Sequence, residues 1–215
     1  MARKKQLELH LPTWGGKRKS AGRKPKGVRA GVSHGARPAL SRHHPVHVTW
    51  RMLPHVWNLR SRRCFAAIAA SLARARHSVG FRIVHFSVQG NHIHLVVEAT
   101  NKVHLARGLQ GFAAWMARRV NAMMRRRGKV FADCYHAHQL KTVAETRNAV
   151  RYAVTNYDEH ARRRGEVVAF NEPDPYSSAN AELKGLLATA QTWLLRRASG
   201  GARLSPGPAD MQLAS

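Results

Sequence analysis

Asn91-His92-Ile93-His94-Leu95-Val96-Val97-Glu98 is the stretch whose reading decides the fold. From His92 onward its side chains divide into two sets. Ile93, Leu95 and Val97 fall on one side, and His92, His94, Val96 and Glu98 on the other. Period two marks a β-strand with one buried face; a helix would scatter the same residues around its axis. Two imidazoles two residues apart on such a strand point the same way, at a spacing from which both can reach one divalent ion. Upstream, Gln89-Gly90-Asn91 is turn chemistry, and Phe81 to Val88 has strand composition, so the two strands are expected to form a hairpin.

Working outward, Val46 to Met52 is β-branched and alternating and reads as a first strand. Arg62 to His77 has helical periodicity through Phe65, Ile68, Ala69 and Leu72, with Gly80 as the expected stop. A longer helix is expected from Val103 to Arg127, ended by Gly128, then a fourth strand over Val130 to Leu140 and a third helix over Ala144 to Arg163. The order β-α-β-β-α-β followed by a helix predicts an α+β, ferredoxin-like antiparallel sheet with two helices on one face. Ile93, Leu95 and Val97 would pack under those helices. His92 and His94 would lie on the other face, open to a ligand or to the third helix.

Residues 1–43 are rich in Lys, Arg, Gly, Ser and Pro and hold the single acid Glu8, so they are read as a basic, mostly disordered arm. Residues 44–163 form the folded domain of this reading. Residues 164–215 are read as a linker marked by Pro173, Pro175 and paired serines, an amphipathic basic helix over Ala181 to Arg197, and a disordered tail.

The chain has 215 residues, with 37 Lys and Arg against 11 Asp and Glu, a formal net charge of +26. Such an excess speaks about partners, and nucleic acid is favoured because each neutralised phosphate releases condensed counterion. An anionic membrane surface is the competing partner, but no apolar run approaches the ~20 residues that span a bilayer. Met1-Ala2-Arg3-Lys4-Lys5 leads into no apolar segment, so no secretory signal is expected. The two cysteines, Cys64 and Cys134, have no CxxC partner, which suits a reducing cytoplasm and argues against a zinc-finger or disulfide framework.

The basic residues suggest where DNA would lie. Arg118, Arg119, Arg125, Arg126, Arg127 and Lys129 crowd the end of the second helix without compensating acids, as a phosphate-binding surface would. In the arm, Gly22-Arg23-Lys24-Pro25-Lys26 resembles the core of an AT-hook, so Arg23, Lys24 and Lys26 are candidate minor-groove contacts. A nonspecific basic tail is the simpler reading of the same residues. Trp50, Trp57 and Trp115 are candidates to stack on unpaired bases, with Trp115 the one better suited to the core.

On a helical wheel the third helix gathers Val150, Ala153, Val154, Tyr157 and Ala161 into a buried stripe. Tyr152 falls away from it, near Asn148, Asn156 and Glu159, and Asn156 follows Tyr152 by one turn. His136-Ala137-His138 is a second His-x-His on an expected strand and ranks behind His92 and His94, because its surroundings alternate less cleanly. His43, His44 and His47 read as a polar lead into the first strand. Glu98 is either a partner that fixes an imidazole tautomer or a solvated strand end.

The chain resembles the single-tyrosine HUH-endonuclease transposases, of the IS200-like kind, and in particular the subgroup associated with repetitive extragenic palindromes. The matching parts are His92-Ile93-His94 on a strand and Arg151-Tyr152-Ala153-Val154-Thr155-Asn156 on a downstream helix. The subgroup's segment runs Arg-Tyr, three mixed residues, then Asn-Pro; here Tyr157 stands in place of the proline. The likeness spans roughly residues 44 to 163. It implies that His92 and His94, with Asn156 as an oxygen donor, hold Mg²⁺ or Mn²⁺, and that Tyr152 attacks a DNA phosphate to give a 5′-phosphotyrosine and a free 3′-OH. It further implies a partner that is single-stranded or hairpin DNA, a monomer or homodimer, and a cytoplasmic setting on the nucleoid. A free phenol titrates near ~10, so this chemistry requires an activated tyrosine. Two other readings stand beside it: a noncatalytic nucleic-acid-binding protein on the same fold, and a HUH replication initiator or relaxase.

Overall fold

The computed structural model describes residues 39–163, 165 and 173–200. The sheet expected from the histidine strand is present. Its strands are β1 (Val46–Arg51), β2 (Phe81–Val88), β3 (His92–Ala99) and β4 (His136–Gln139), in the order β2-β3-β1-β4. Every neighbouring pair is antiparallel. Helices α1 (Arg62–Ala75) and α2 (Lys102–Met123) make the two βαβ-type crossovers, which is the ferredoxin-like connection.

Local chemistry explains the helix starts. Ser61 Oγ accepts from Cys64 N at 3.3 Å, and Asn101 Oδ1 accepts from the backbone of Val103 and His104 at 2.9 Å. Cys64, Ile68, Leu72 and Ala75 on α1, and Leu105, Leu109, Phe112, Met116 and Val120 on α2, recur at helical spacing and are buried. They close over Val46, Val48, Ile93, Leu95 and Val97, as the alternation required. At Gly108 a side chain would enter the Phe81 ring, so the bare backbone lets α2 lie down on β2.

The helix stops differ from expectation. α1 ends at Ala75, short of Gly80, whose φ of 68° instead opens β2, where a Cβ would meet His104. α2 ends at Met123, and Arg125, with φ 52°, makes the left-handed turn before Gly128. The fourth strand is also shorter than Val130 to Leu140. Phe131 makes only an isolated bridge to Met52, and Trp50 Nε1 donates to Asp133 O at 3.0 Å, so an irregular stretch precedes His136.

The second sheet face is covered. Helices α3 (Val143–Arg163) and α4 (Trp193–Gly200) lie on it, with Ala149, Val150, Ala153 and Leu195 buried against Val84 and Val96. A bulge in β2 between Ile83 and His85 turns Val84 toward that face. The single helix expected over Ala181 to Arg197 is two pieces, a 3-10 helix at Ala181–Leu186 and α4, because Glu98 caps a fresh N-terminus at Gln191 and Thr192.

Residues 173–177 pack rather than link. Arg60 makes a two-bonded ion pair to Asp174 (2.7 and 3.0 Å), donates to Val88 O at 3.0 Å, and sits between the rings of Tyr157 and Tyr176. Tyr157, read as part of the buried stripe, is thus half-buried and holds α3 to this segment through a cation–π contact of 3.3 Å. Among the described residues no helix is long and apolar enough to cross a membrane.

Candidate active site

The register of β1 against β3 sets up the site. Thr49 faces His94, Arg51 faces His92, and His47 faces Val96, all on the α3 side of the sheet. On β4, His136 and His138 face Thr49 and His47, so the second His-x-His joins the same surface. Both are exposed at the sheet's edge.

Tyr152 enters from α3. Its ring meets that of His94 edge-on at 5.0 Å between centroids and that of His47 at 6.0 Å. His92 and His94 are themselves edge-on at 4.8 Å, and His47 stacks on His94 at 5.4 Å. Tyr152 is 38% exposed while His94 is 4% exposed, so the phenol forms the solvent side of a pocket whose floor is imidazole.

The imidazoles are held through Nδ1. His92 Nδ1 lies 2.8 Å from Asn91 Oδ1, and an amide oxygen only accepts, so Nδ1 carries the proton and the lone pair is on Nε2. His94 Nδ1 is 3.1 Å from Thr49 Oγ1 and 3.3 Å from His47 Nε2. Such contacts orient a ligating histidine and set its tautomer. Burial pushes the His47 pKa down to about 4, with His138 and then His136 adding repulsion, so His47 is a neutral ring at neutral pH.

A divalent ion has suitable donors here. Among the described residues no three His, Cys, Asp or Glu side chains stand together as a metal-binding group, so a pair of imidazoles would need an oxygen donor of another kind. Asn156, one turn beyond Tyr152, is 1% exposed, and its Nδ2 makes no hydrogen bond among the described residues. A half-turn of the amide about its last side-chain bond exchanges N and O and brings an oxygen to that position. An orphaned buried amide one helical turn from the tyrosine that meets His94 fits a group that binds cations. The wheel puts Asn156 on the polar side with Tyr152, yet it is buried.

Other expected site residues lie elsewhere. Glu98 is neither a tautomer partner nor a solvated end. Its buried carboxylate accepts from Arg82 Nε at 2.9 Å, Gln191 N at 3.0 Å and Thr192 N at 2.7 Å. Arg118 and Arg119 are on the helix layer across the sheet from Tyr152, where with Arg74 they surround the half-buried ring of Trp115. Trp115 therefore caps a surface rather than filling the core. Arg125, Arg126, Arg127 and Lys129 lie beyond the end of α2, in the turn that returns to the sheet by Leu53 N to Val130 O, the end where His92 stands. Arg126 is occupied internally, donating to Asn121 Oδ1 and Lys129 O. Trp50 is buried against Phe131 and Tyr135 and cannot stack on a base, whereas Trp57 is exposed. Arg23, Lys24 and Lys26 lie outside the described residues.

Reading the sequence missed Asn91, Thr49 and His47 as site residues. Asn91 was visible only as a turn former. Thr49 and His47 alternate with Val46, Val48 and Trp50, which placed them on the correct face, but strand order was needed to put them beside His94.

The chain belongs to the IS200-like transposase family, whose model matches residues 43–156, more than half its length. Among solved structures it is similar to a REP-associated tyrosine transposase bound to a REP hairpin, at 11% identity and a TM-score of 0.53, covering 75% of this chain and 93% of that one. A Deinococcus radiodurans protein described as a candidate transposase aligns at 14% identity and a TM-score of 0.39, covering 64% of this chain and 98% of that one. No curated protein matches the sequence significantly.

Proposed function

We propose that this protein is a metal-dependent endonuclease and strand transferase that acts on single-stranded or hairpin DNA through Tyr152. The observation that carries the reading is the edge-on approach of Tyr152 to His94 within one chain. The family supports DNA transposition, and the REP hairpin held by a structurally similar protein supports the substrate class. The formal charge of +26 agrees with a polyanionic partner, met in the cytoplasm where the nucleoid is.

In this mechanism the Tyr152 oxygen attacks phosphorus in line, and the bond from phosphorus to the 3′ oxygen breaks. The phosphate stays on Tyr152 through its 5′ side, and the leaving 3′ oxygen takes up a proton as the phenol loses one. Neutral His47, whose ring lies 6.0 Å from that of Tyr152 and which is not among the ion's proposed ligands, would take that proton. His92, His94 and Asn156 would hold Mg²⁺ or Mn²⁺, which when bound polarises the phosphate and stabilises its developing charge. Asn91 and Thr49 keep the two imidazoles presented through Nε2. Reversal, with a 3′-OH attacking the phosphotyrosine, rejoins strands without ATP because the ester energy is retained. Arg125, Arg127 and Lys129 at the His92 end of the sheet, Arg118 and Arg119 on the far helix layer, and Arg23, Lys24 and Lys26 in the arm would contact phosphates.

The test is adduct formation on a labelled hairpin oligonucleotide with Mn²⁺ or Mg²⁺. Wild type is expected to give a denaturation-resistant protein–DNA adduct, and Tyr152→Phe to bind the DNA without one. If wild type binds but forms no adduct with either ion, the enzyme reading fails and the noncatalytic DNA-binding reading replaces it.

A further inference from the structure

At the other end of β3 from His92, a cavity of about 310 Å³ opens between β3 and α4, lined by Arg42, Arg82, Thr100, Gln191, Trp193 and Arg196. Its construction is specific. The buried Glu98 carboxylate fixes Arg82 on one side and the backbone of Gln191 and Thr192 on the other, so the start of α4 is pinned and Trp193 is carried at the rim. The Trp193 indole is 65% exposed, an apolar surface left open to water beside arginines. Arg82 is neutralised by Glu98. Arg42 and Arg196 are exposed and have no ion pair among the described residues, so the cavity keeps uncompensated positive charge.

A concave site with an open indole face and guanidiniums that have no acidic partner among the described residues, Arg42 donating only to His43 at 3.3 Å, has the recognition chemistry of a nucleotide: a π-face for the base and cations for its phosphate. A flat bilayer surface would touch the rim without entering the cavity. The site also lies on the Tyr152 face of the sheet, since Leu195 of α4 packs with Val150 and Ala153 of α3. Five residues of strand separate His94 from Ala99, roughly 17 Å at strand rise, so a nucleotide held here is a neighbour of the one being cut rather than the same one.

We propose that this cavity is a subsite for an unpaired nucleotide of the DNA strand, its base stacked on Trp193 and its phosphate held by Arg42 and Arg196. The proposal rests on the DNA-processing reading for the identity of the strand, and it adds a second, noncatalytic point of attachment outside the histidine–tyrosine pocket. None of the basic residues singled out from the sequence belongs to it.

The experiment is fluorescence polarisation of the full chain carrying Tyr152→Phe, with labelled oligothymidylate and a duplex of equal length. Trp193→Ala is expected to weaken single-strand binding about five- to hundredfold, the effect of losing one stacked base, with little change for duplex. Trp193→Phe should restore most of the affinity. Arg196→Glu should weaken binding and make the slope of log affinity against log salt shallower by about 0.7 for each phosphate no longer neutralised. Lys184→Glu, an equal charge change on the 3-10 helix, should do much less. Because Trp193 is exposed at the first turn of α4, thermal melting should show these variants folded.

The proposal is overturned if Trp193→Ala binds single strand as tightly as its parent. It is overturned equally if single strand and duplex lose affinity alike, if Lys184→Glu matches Arg196→Glu, or if Trp193→Ala lowers sedimentation with anionic vesicles but leaves DNA binding intact. Adduct formation by wild type is scored separately. An adduct with silent Trp193→Ala removes the subsite alone, whereas no adduct with weakened single-strand binding removes only the enzyme reading.

Discussion

Replacing Glu98 by Ala should cost this protein about 3–5 kcal/mol, although the position lies near a strand end and looks dispensable in sequence. The carboxylate is fully buried and accepts from Arg82, Gln191 N and Thr192 N. In the variant the Thr192 N–H stays buried without its acceptor, worth about 1–3 kcal/mol. The Gln191 N–H and the Arg82 guanidinium, which keeps 23% exposure, regain water in part, so each adds about 1 kcal/mol. The total matches what is seen when one partner of a buried pair is removed, about 3–5 kcal/mol. For a chain of this size each kcal/mol moves the melting midpoint by about 2–4 °C, so a fall of roughly 6–20 °C is expected by circular dichroism. Glu98→Gln keeps an acceptor and the volume and should fall between. Hydrogen exchange should locate the change: amides of 191–199 should lose protection before those of β1 and β3. A loss below about 1 kcal/mol, or one with no local effect on α4, would show that Glu98 does not anchor that helix.

Three further outcomes follow from the same geometry. Thr49→Val removes the hydroxyl on His94 Nδ1 at near-constant volume and should weaken Mn²⁺ binding about 10- to 100-fold in calorimetry while shifting the melting midpoint by only a few degrees; unchanged affinity would remove Thr49 as a positioning residue. His85, bonded to Ser178 and Ser199, has its pKa pushed down to about 4 by burial, so the unfolded chain takes up the proton first as pH falls. Its share of stability is complete above pH 6.5 and is lost between there and about 4, about 2 kcal/mol after allowing for partial solvation; urea titrations at pH 7 and pH 4.5 should show the loss, and His85→Gln should reduce it, leaving the part due to His47. Gly108→Ala should destabilise by about 1–3 kcal/mol despite alanine's better helix propensity, because the new methyl enters the Phe81 ring; a stabilised variant in thermal melting would contradict that packing.

Much of the fold and part of the site were legible in the residues alone, because alternation and helical spacing are local properties. The period-two pattern of His92 to Glu98 was enough to turn Ile93, Leu95 and Val97 toward a helix layer and the histidines away from it, and β2 and β3 begin where their composition changes. The position of Tyr152 off the apolar stripe of α3 was a local property too. What local pattern could not carry was pairing. His47 became a neighbour of His94, and Thr49 its hydrogen-bond partner, only because β1 lies between β3 and β4, and that order is decided by which strands the crossovers of α1 and α2 bring together. Glu98 misled for the same reason: besides Arg82, its partners are the backbone of Gln191 and Thr192, 93 and 94 residues away, in a segment read as the interior of one continuous helix. Asn156 is polar by type and buried only in the folded chain. Sequence determined which faces exist. Tertiary structure decided what each face meets, because burial and hydrogen bonding depend on residues distant in the chain that only the completed sheet brings together.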